Sequence, residues 1–118
     1  MKALARLRST LALAVILTRI HAQPKSLTVT ERELRAAAQQ KVEPDYPAVA
    51  RQIRLTGEVE LEIIVDESGA VEKASVVRGN TLLTGPSLQA IRKWKFKPFG
   101  TDAEPSRASG TIKFSFQM

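Results

Sequence analysis

The chain has 118 residues, with 18 lysines and arginines, 12 acids, one histidine and no cysteine, for a formal charge of +6. That is room for one domain with a modest core, and the missing thiols exclude disulfides, thiolate metal sites and cysteine nucleophiles. The sole histidine, His21, lies near the N-terminus, so the rest of the chain lacks Ser-His-Asp and Cys-His machinery and the commonest metal ligand; an enzyme would have to run on carboxylates or lysines.

The charge is uneven. The first 22 residues hold Lys2, Arg6, Arg8 and Arg19 and no acid; taking those four from 18 leaves 14 basic residues against 12 acids, about +2. The basic character is therefore mostly N-terminal and points only weakly to nucleic acid. MKALARLR followed by STLALAVILT and RIHA has the form of an export signal with a cut after Ala22. The apolar run is too short for a spanning helix, which needs about twenty apolar residues, and Arg19 blocks its extension. Residues 1–22 are thus expected to be a cleaved signal or, uncleaved, an N-terminal anchor.

Residues 23–41 read as a linker with a short helix. In it Thr30-Glu31-Arg32-Glu33 forms a capping box opening ERELRAAAQQK, whose thin apolar set (Leu34, Ala37, Ala38) predicts a surface helix. VEPDYP breaks it. Asp45 or Tyr46 is expected to cap a second short helix with Pro47 in its first turn and Val49, Ala50 and Ile53 on one face. From Gly57 the period becomes two: Val59, Leu61, Ile63 and Val65 alternate with Glu58, Glu60, Glu62 and Ile64, a half-buried strand. The glutamate row suggests either a cation site or a solvated strand face; a flat face cannot surround an ion unaided, which favours the second. Asp66-Glu67-Ser68-Gly69 reads as a hairpin turn rather than a carboxylate pair for acid–base work. In the returning strand, AVEKASVVRG, apolar parity slips between Val71 and Val76, as a bulge would cause.

Thr84 is expected to cap a longer helix with Pro86 in its first turn and Leu88, Ile91 and Trp94 on one stripe, ending near Lys95. Its exit, IRKWKFKP (91–98), mixes cations and aromatics as a single-strand or membrane-surface patch would. The other reading places Arg92 and Lys93 at the negative end of the helix dipole, with Trp94 and Phe96 inward and the lysines outward. Phe99–Pro105 is a polar loop, and SRASGTIKFSFQM ends the chain as a strand with Ile112, Phe114 and Phe116 on one face. The fold class is α+β: a small antiparallel three-stranded sheet packed against two helices, in the order α-β-β-α-β, preceded by a signal peptide and a short N-terminal helix.

The matches Tyr46-Pro47-Ala48-Val49-Ala50, Gly57-Glu58-Val59, Val65-Asp66, Gly69-Ala70-Val71, Ala90-Ile91 and Trp94-Lys95-Phe96-Lys97-Pro98, in that order, resemble the C-terminal domain of the TonB family over residues 42 to 116. The domain is taken as 42–118, with Gly57, Asp66, Gly69, Trp94, Phe96 and Pro98 as its structural signature. The resemblance implies a periplasmic protein of TonB-dependent transport. It would pass energy to an outer-membrane receptor, or serve another envelope protein, by holding an extended segment through strand addition to a sheet edge. Ser109, Thr111, Lys113 and Ser115 on the last strand are the candidate edge, Tyr46 and Pro47 are further candidate partner-binding residues, and the segment before Tyr46 is expected to flank the groove. Backbone is expected to carry binding, the side chains being structural. No catalytic residue, cofactor, metal, nucleic acid or small-molecule substrate is expected. The family's transducers carry a spanning anchor and a long proline-rich spacer. Here the roughly twenty residues of 23–42 reach at most about 70 Å at about 3.1–3.6 Å each, and about half that if partly helical. The expectation is a stand-alone exported domain that binds peptide without engaging the motor. Two alternatives stand beside it: a homodimer or envelope adaptor with its edge covered by a second copy, and a basic membrane- or nucleic-acid binder at IRKWKFKP.

Overall fold

A computed structural model describes residues 26–118; the predicted signal and the first linker residues lie outside the described residues. In chain order the elements are β1 (Ser26–Thr28), α1 (Glu31–Ala37), β2 (Ala38–Gln40), α2 (Ala48–Gln52), β3 (Gly57–Val65), β4 (Val71–Arg78), α3 (Thr81–Arg92), β5 (Lys95–Phe96), β6 (Phe99–Gly100) and β7 (Pro105–Phe116). The fold is α+β. Its main sheet has five strands rather than the expected three: β1-β7-β3-β4 in order, with β6 hairpinned onto β7, while β2 and β5 form a separate pair. The sheet is mixed, because Ser26–Thr28, read as linker, runs parallel to Arg107–Ser109. Three residues are too few to display a period of two, so this strand leaves no pattern in the sequence.

The alternation in β3 sets the layers. Val59, Leu61, Ile63 and Val65 are fully buried, and their partners across the ladder are Phe114, Ile112, Gly110 and Ala108 of β7. On the opposite face Glu58, Glu60 and Glu62 stand against Ser115, Lys113 and Thr111, and Glu60 pairs with Arg78 at 2.9 Å. The parity slip in β4 comes from two irregularities. Pairing jumps from Glu60↔Arg78 to Leu61↔Val76, leaving Val77 extra, and from Ile64↔Lys73 to Val65↔Val71, leaving Glu72 extra.

Three helix expectations are corrected. The Thr30 capping box forms, but Leu34 of α1 is fully buried, so this helix is anchored in the core. In α2 the N-cap is Pro47 itself, with no side-chain cap, and only Ala50 is buried; Val49 and Ile53 are 56% and 62% exposed. At 100° per residue those two lie together to one side of Ala50, and a helix of five residues can turn only one narrow stripe inward. α3 is capped by Asn80, whose side chain accepts the Leu82 N–H at 2.9 Å, rather than by Thr84. Pro86 consequently lies inside the helix. Gly85 before it has no Cβ for the pyrrolidine ring to strike, which eases the clash that normally keeps a pre-proline residue out of the helical region. The helix ends at Arg92, before Lys95.

Trp94 is the hub of the core. Its Nε1 donates to the Val42 carbonyl at 2.9 Å, and its ring meets Phe114 edge-on at 5.8 Å and Phe96 at 6.0 Å. The hairpin turn before β4 is held by Asp66, whose Oδ1 accepts from the Ser68 N–H (2.9 Å), the Ser68 hydroxyl (2.6 Å) and the Ala70 N–H (3.0 Å).

Removing the indole as Trp94→Ala should cost about 3–5 kcal/mol, read as a lowered melting midpoint; an unchanged midpoint would take Trp94 out of the core. The Asp66 carboxyl is held below its usual range, first by the Ser68 hydroxyl and further by the Ala70, Ser68 and Gly69 amides, with burial opposing. Because its folded-state pKa is depressed, its stabilisation is present above the ordinary carboxyl value of 3.8 and lost as pH falls through the lower folded value. Acid titration of Asp66→Asn should show a smaller loss of stability in that window than the parent chain; identical acid limbs would contradict this.

Candidate functional site

In an antiparallel strand both main-chain groups of a residue point to the same neighbour, alternating sides along the chain. On β7 the odd positions point away from β3: Ser109 C=O accepts from Val29 N–H at 2.9 Å, and Lys113 uses both its N–H and its C=O toward α1. The outer edge is therefore built from Ser109, Thr111, Lys113 and Ser115. The structure divides these four. β1 pairs with Arg107–Ser109, so Ser109 is already occupied by the protein's own chain. The stretch from Thr111 to Ser115 runs beside a cleft of about 300 Å³ lined by Arg35, Lys41, Glu43, Pro44, Lys113 and Ser115, with Trp94 and Phe114 also on its wall. The cleft walls bring three cations and one carboxylate beside an edge of main-chain donors and acceptors.

Glu43 and Pro44 belong to the segment before Tyr46 that was expected to flank the groove, whereas Arg35 and Lys41 were not among the residues expected here. The i,i+4 spacing of Glu31 and Arg35 is visible in the sequence, but the pairing of that helix with β7 is not. Tyr46 lies at the end of β7, half-buried. Its ring meets Phe116 edge-on at 5.5 Å, its hydroxyl donates to the Leu55 carbonyl, and the Arg51 guanidinium lies 5.5 Å from its ring centroid. With Arg51, Gln117 and Met118 it lines a second cleft of about 320 Å³. Pro47 starts α2 beside it.

The aromatics of IRKWKFKP are not available as a stacking platform: Trp94 and Phe96 are each 2% exposed, whereas Arg92, Lys93, Lys95 and Lys97 are exposed. Among the described residues no group of three or more His, Cys, Asp or Glu side chains could hold a metal ion, and no helix is long and apolar enough to cross a membrane.

The layered sheet, the buried tryptophan at the helix exit and the partly open last strand define a small α+β domain with a sheet edge beside a cleft. The family described as Gram-negative bacterial TonB protein C-terminal matches residues 42–118, and the chain belongs to that family. Protein TonB of Vibrio cholerae is 35% identical over 80 residues, covering 66% of this chain; the match spans 33% of that relative's length. The solution NMR structure of the Pseudomonas aeruginosa TonB CTD superposes with a TM-score of 0.61 at 19% identity, covering 82% of this chain and 96% of that one. The latter is a likeness of fold.

Tyr46→Phe keeps the ring against Phe116 but removes the hydroxyl from Leu55. It should cost about 0.5–1.5 kcal/mol by denaturant unfolding, and no loss would show that the ring alone positions this corner.

Proposed function

We propose that this is a non-catalytic periplasmic domain of TonB-dependent transport that binds an extended segment of an outer-membrane receptor, or of another envelope protein, by strand addition to β7. The observation that carries this reading is the outward-facing main chain of Thr111–Ser115 beside the cleft at Arg35, Lys41 and Glu43. Strand addition draws its affinity from main-chain hydrogen bonds, and so fits an edge whose own side chains are small or flexible. Thr111 and Ser115 present little to clash with an incoming strand, and Lys113 can swing aside. In this reading 42–118 is the binding domain, 1–22 the export signal or anchor, and Tyr46 and Pro47 brace the end of the groove. Energy transduction would enter only if a motor engages the chain; docking itself requires none.

A capped octapeptide of alternating threonine and valine serves as a sequence-neutral probe. On titration, amide shifts should concentrate at Thr111–Ser115. Thr111→Ala should leave affinity nearly unchanged. Ser115→Pro, which an edge position tolerates but which removes an outward N–H, should weaken binding about three- to tenfold, the worth of one hydrogen bond. Equal affinities for the Ser115→Pro and parent chains, or shifts confined to β4, would overturn the reading.

A further inference from the structure

The segment Ser26–Ala37 forms a strap on the same edge that a partner strand would use. β1 covers Arg107–Ser109, and the chain then crosses over Gly110, where a Cβ would stand 2.6 Å from the Val29 carbonyl oxygen and 3.0 Å from Leu34 Cδ1. α1 follows, pinned by buried Leu34, and aims Glu31 and Arg35 at Lys113. Glu31 Oε2 accepts the Lys113 N–H at 3.4 Å, Arg35 Nη2 donates to the Lys113 carbonyl, and Arg35 Nε donates to the same Glu31 Oε2 at 2.9 Å. One acceptor and one donor offered together to one residue is what a neighbouring β-strand supplies.

We propose that Glu31 and Arg35 hold the place of the partner strand at Lys113, so that docking is a displacement. An incoming strand takes over the two Lys113 hydrogen bonds from this clamp, and its footprint starts at Thr111 because β1 holds the edge as far as Ser109. The inference rests on the strand-addition reading. Two features make the clamp the yielding part. Its side chains are substantially exposed, 41% for Arg35 and 33% for Glu31, and ion pairs at such exposure hold weakly. By contrast Leu34 and Val29 are buried, so the backbone of the strap stays seated while the two side chains swing away. The strap precedes residue 42, where the family match begins.

The test titrates the same octapeptide into the full chain and into three variants. Glu31→Gln with Arg35→Gln should bind about three- to tenfold tighter, since the competing bonds are weakened, with the response still centred on Thr111–Ser115. Gly110→Ala, which displaces the strap without touching the clamp side chains, should move affinity in the same direction. Arg32→Gln, on the exposed side of α1, should leave it unchanged. Hydrogen exchange without peptide adds a second readout: protection of the Lys113 amide should fall in the clamp variant while that of β3 amides is kept. Parent-level or weaker peptide affinity in both displaced variants, with β7 still responding, would overturn the displacement and leave strand addition standing. No response at β7 in any chain would overturn both.

Discussion

At Gly69 the hairpin backbone lies against the exit of α3 so closely that a Cβ there would stand 1.9 Å from the Phe96 carbonyl oxygen. Phe96 N–H donates to the Gly69 carbonyl at 2.8 Å, and Gly69 has a φ of 91°, a conformation that side chains disfavour. This joint ties the β3–β4 hairpin to the segment carrying Trp94 and Phe96. With β5 fixed there, Ala38–Gln40 pairs with it and Lys97 N–H reaches the Ala37 carbonyl at 2.7 Å. The position of α1, and with it the strap along β7, follows from that chain of contacts. Two motifs distant in the sequence, the acidic turn and the tryptophan exit, are the two halves of one contact.

An unpaired strand edge invites association, and natural sheets shield such edges. β7 is longer than the nine-residue β3 that pairs along it, and on its other side a strand, β1, covers only Arg107–Ser109. The clamp at Lys113 is a partial shield: it satisfies one residue's main-chain groups without adding a strand, and so protects the edge at rest while leaving it replaceable. The second edge, β4, exposes Val76 and Val77 but carries two irregularities, which twist a strand and disfavour regular pairing.

Much of the scaffold was legible because its signals are local or periodic. The alternation of β3 and of Ile112, Phe114 and Phe116 forces their buried faces, and the Thr30 cap needs only residues three apart. The cap of α3 was misplaced because Thr84 and Asn80 both suit the role, and the choice depends on whether Pro86 is tolerated inside the helix, which Gly85 permits. Val49 and Ile53 were expected inward because helical spacing shows which residues share a face but not how wide a stripe the core will cover.

By itself the sequence determined the alternating strands, the acidic turn, the buried Trp94–Phe96 stripe and, through these, the family. All of these arise from short-range sterics and from apolar side chains whose spacing matches a regular element. Only the tertiary structure decided that Ser26–Thr28 is a strand, that Ser109 is already paired, and that Glu31 and Arg35 meet Lys113 across 78 residues of chain in the case of the arginine. These are main-chain and ion-pair contacts between distant segments. They leave no period in the sequence, because a backbone hydrogen bond can be made by almost any residue that the fold brings into reach.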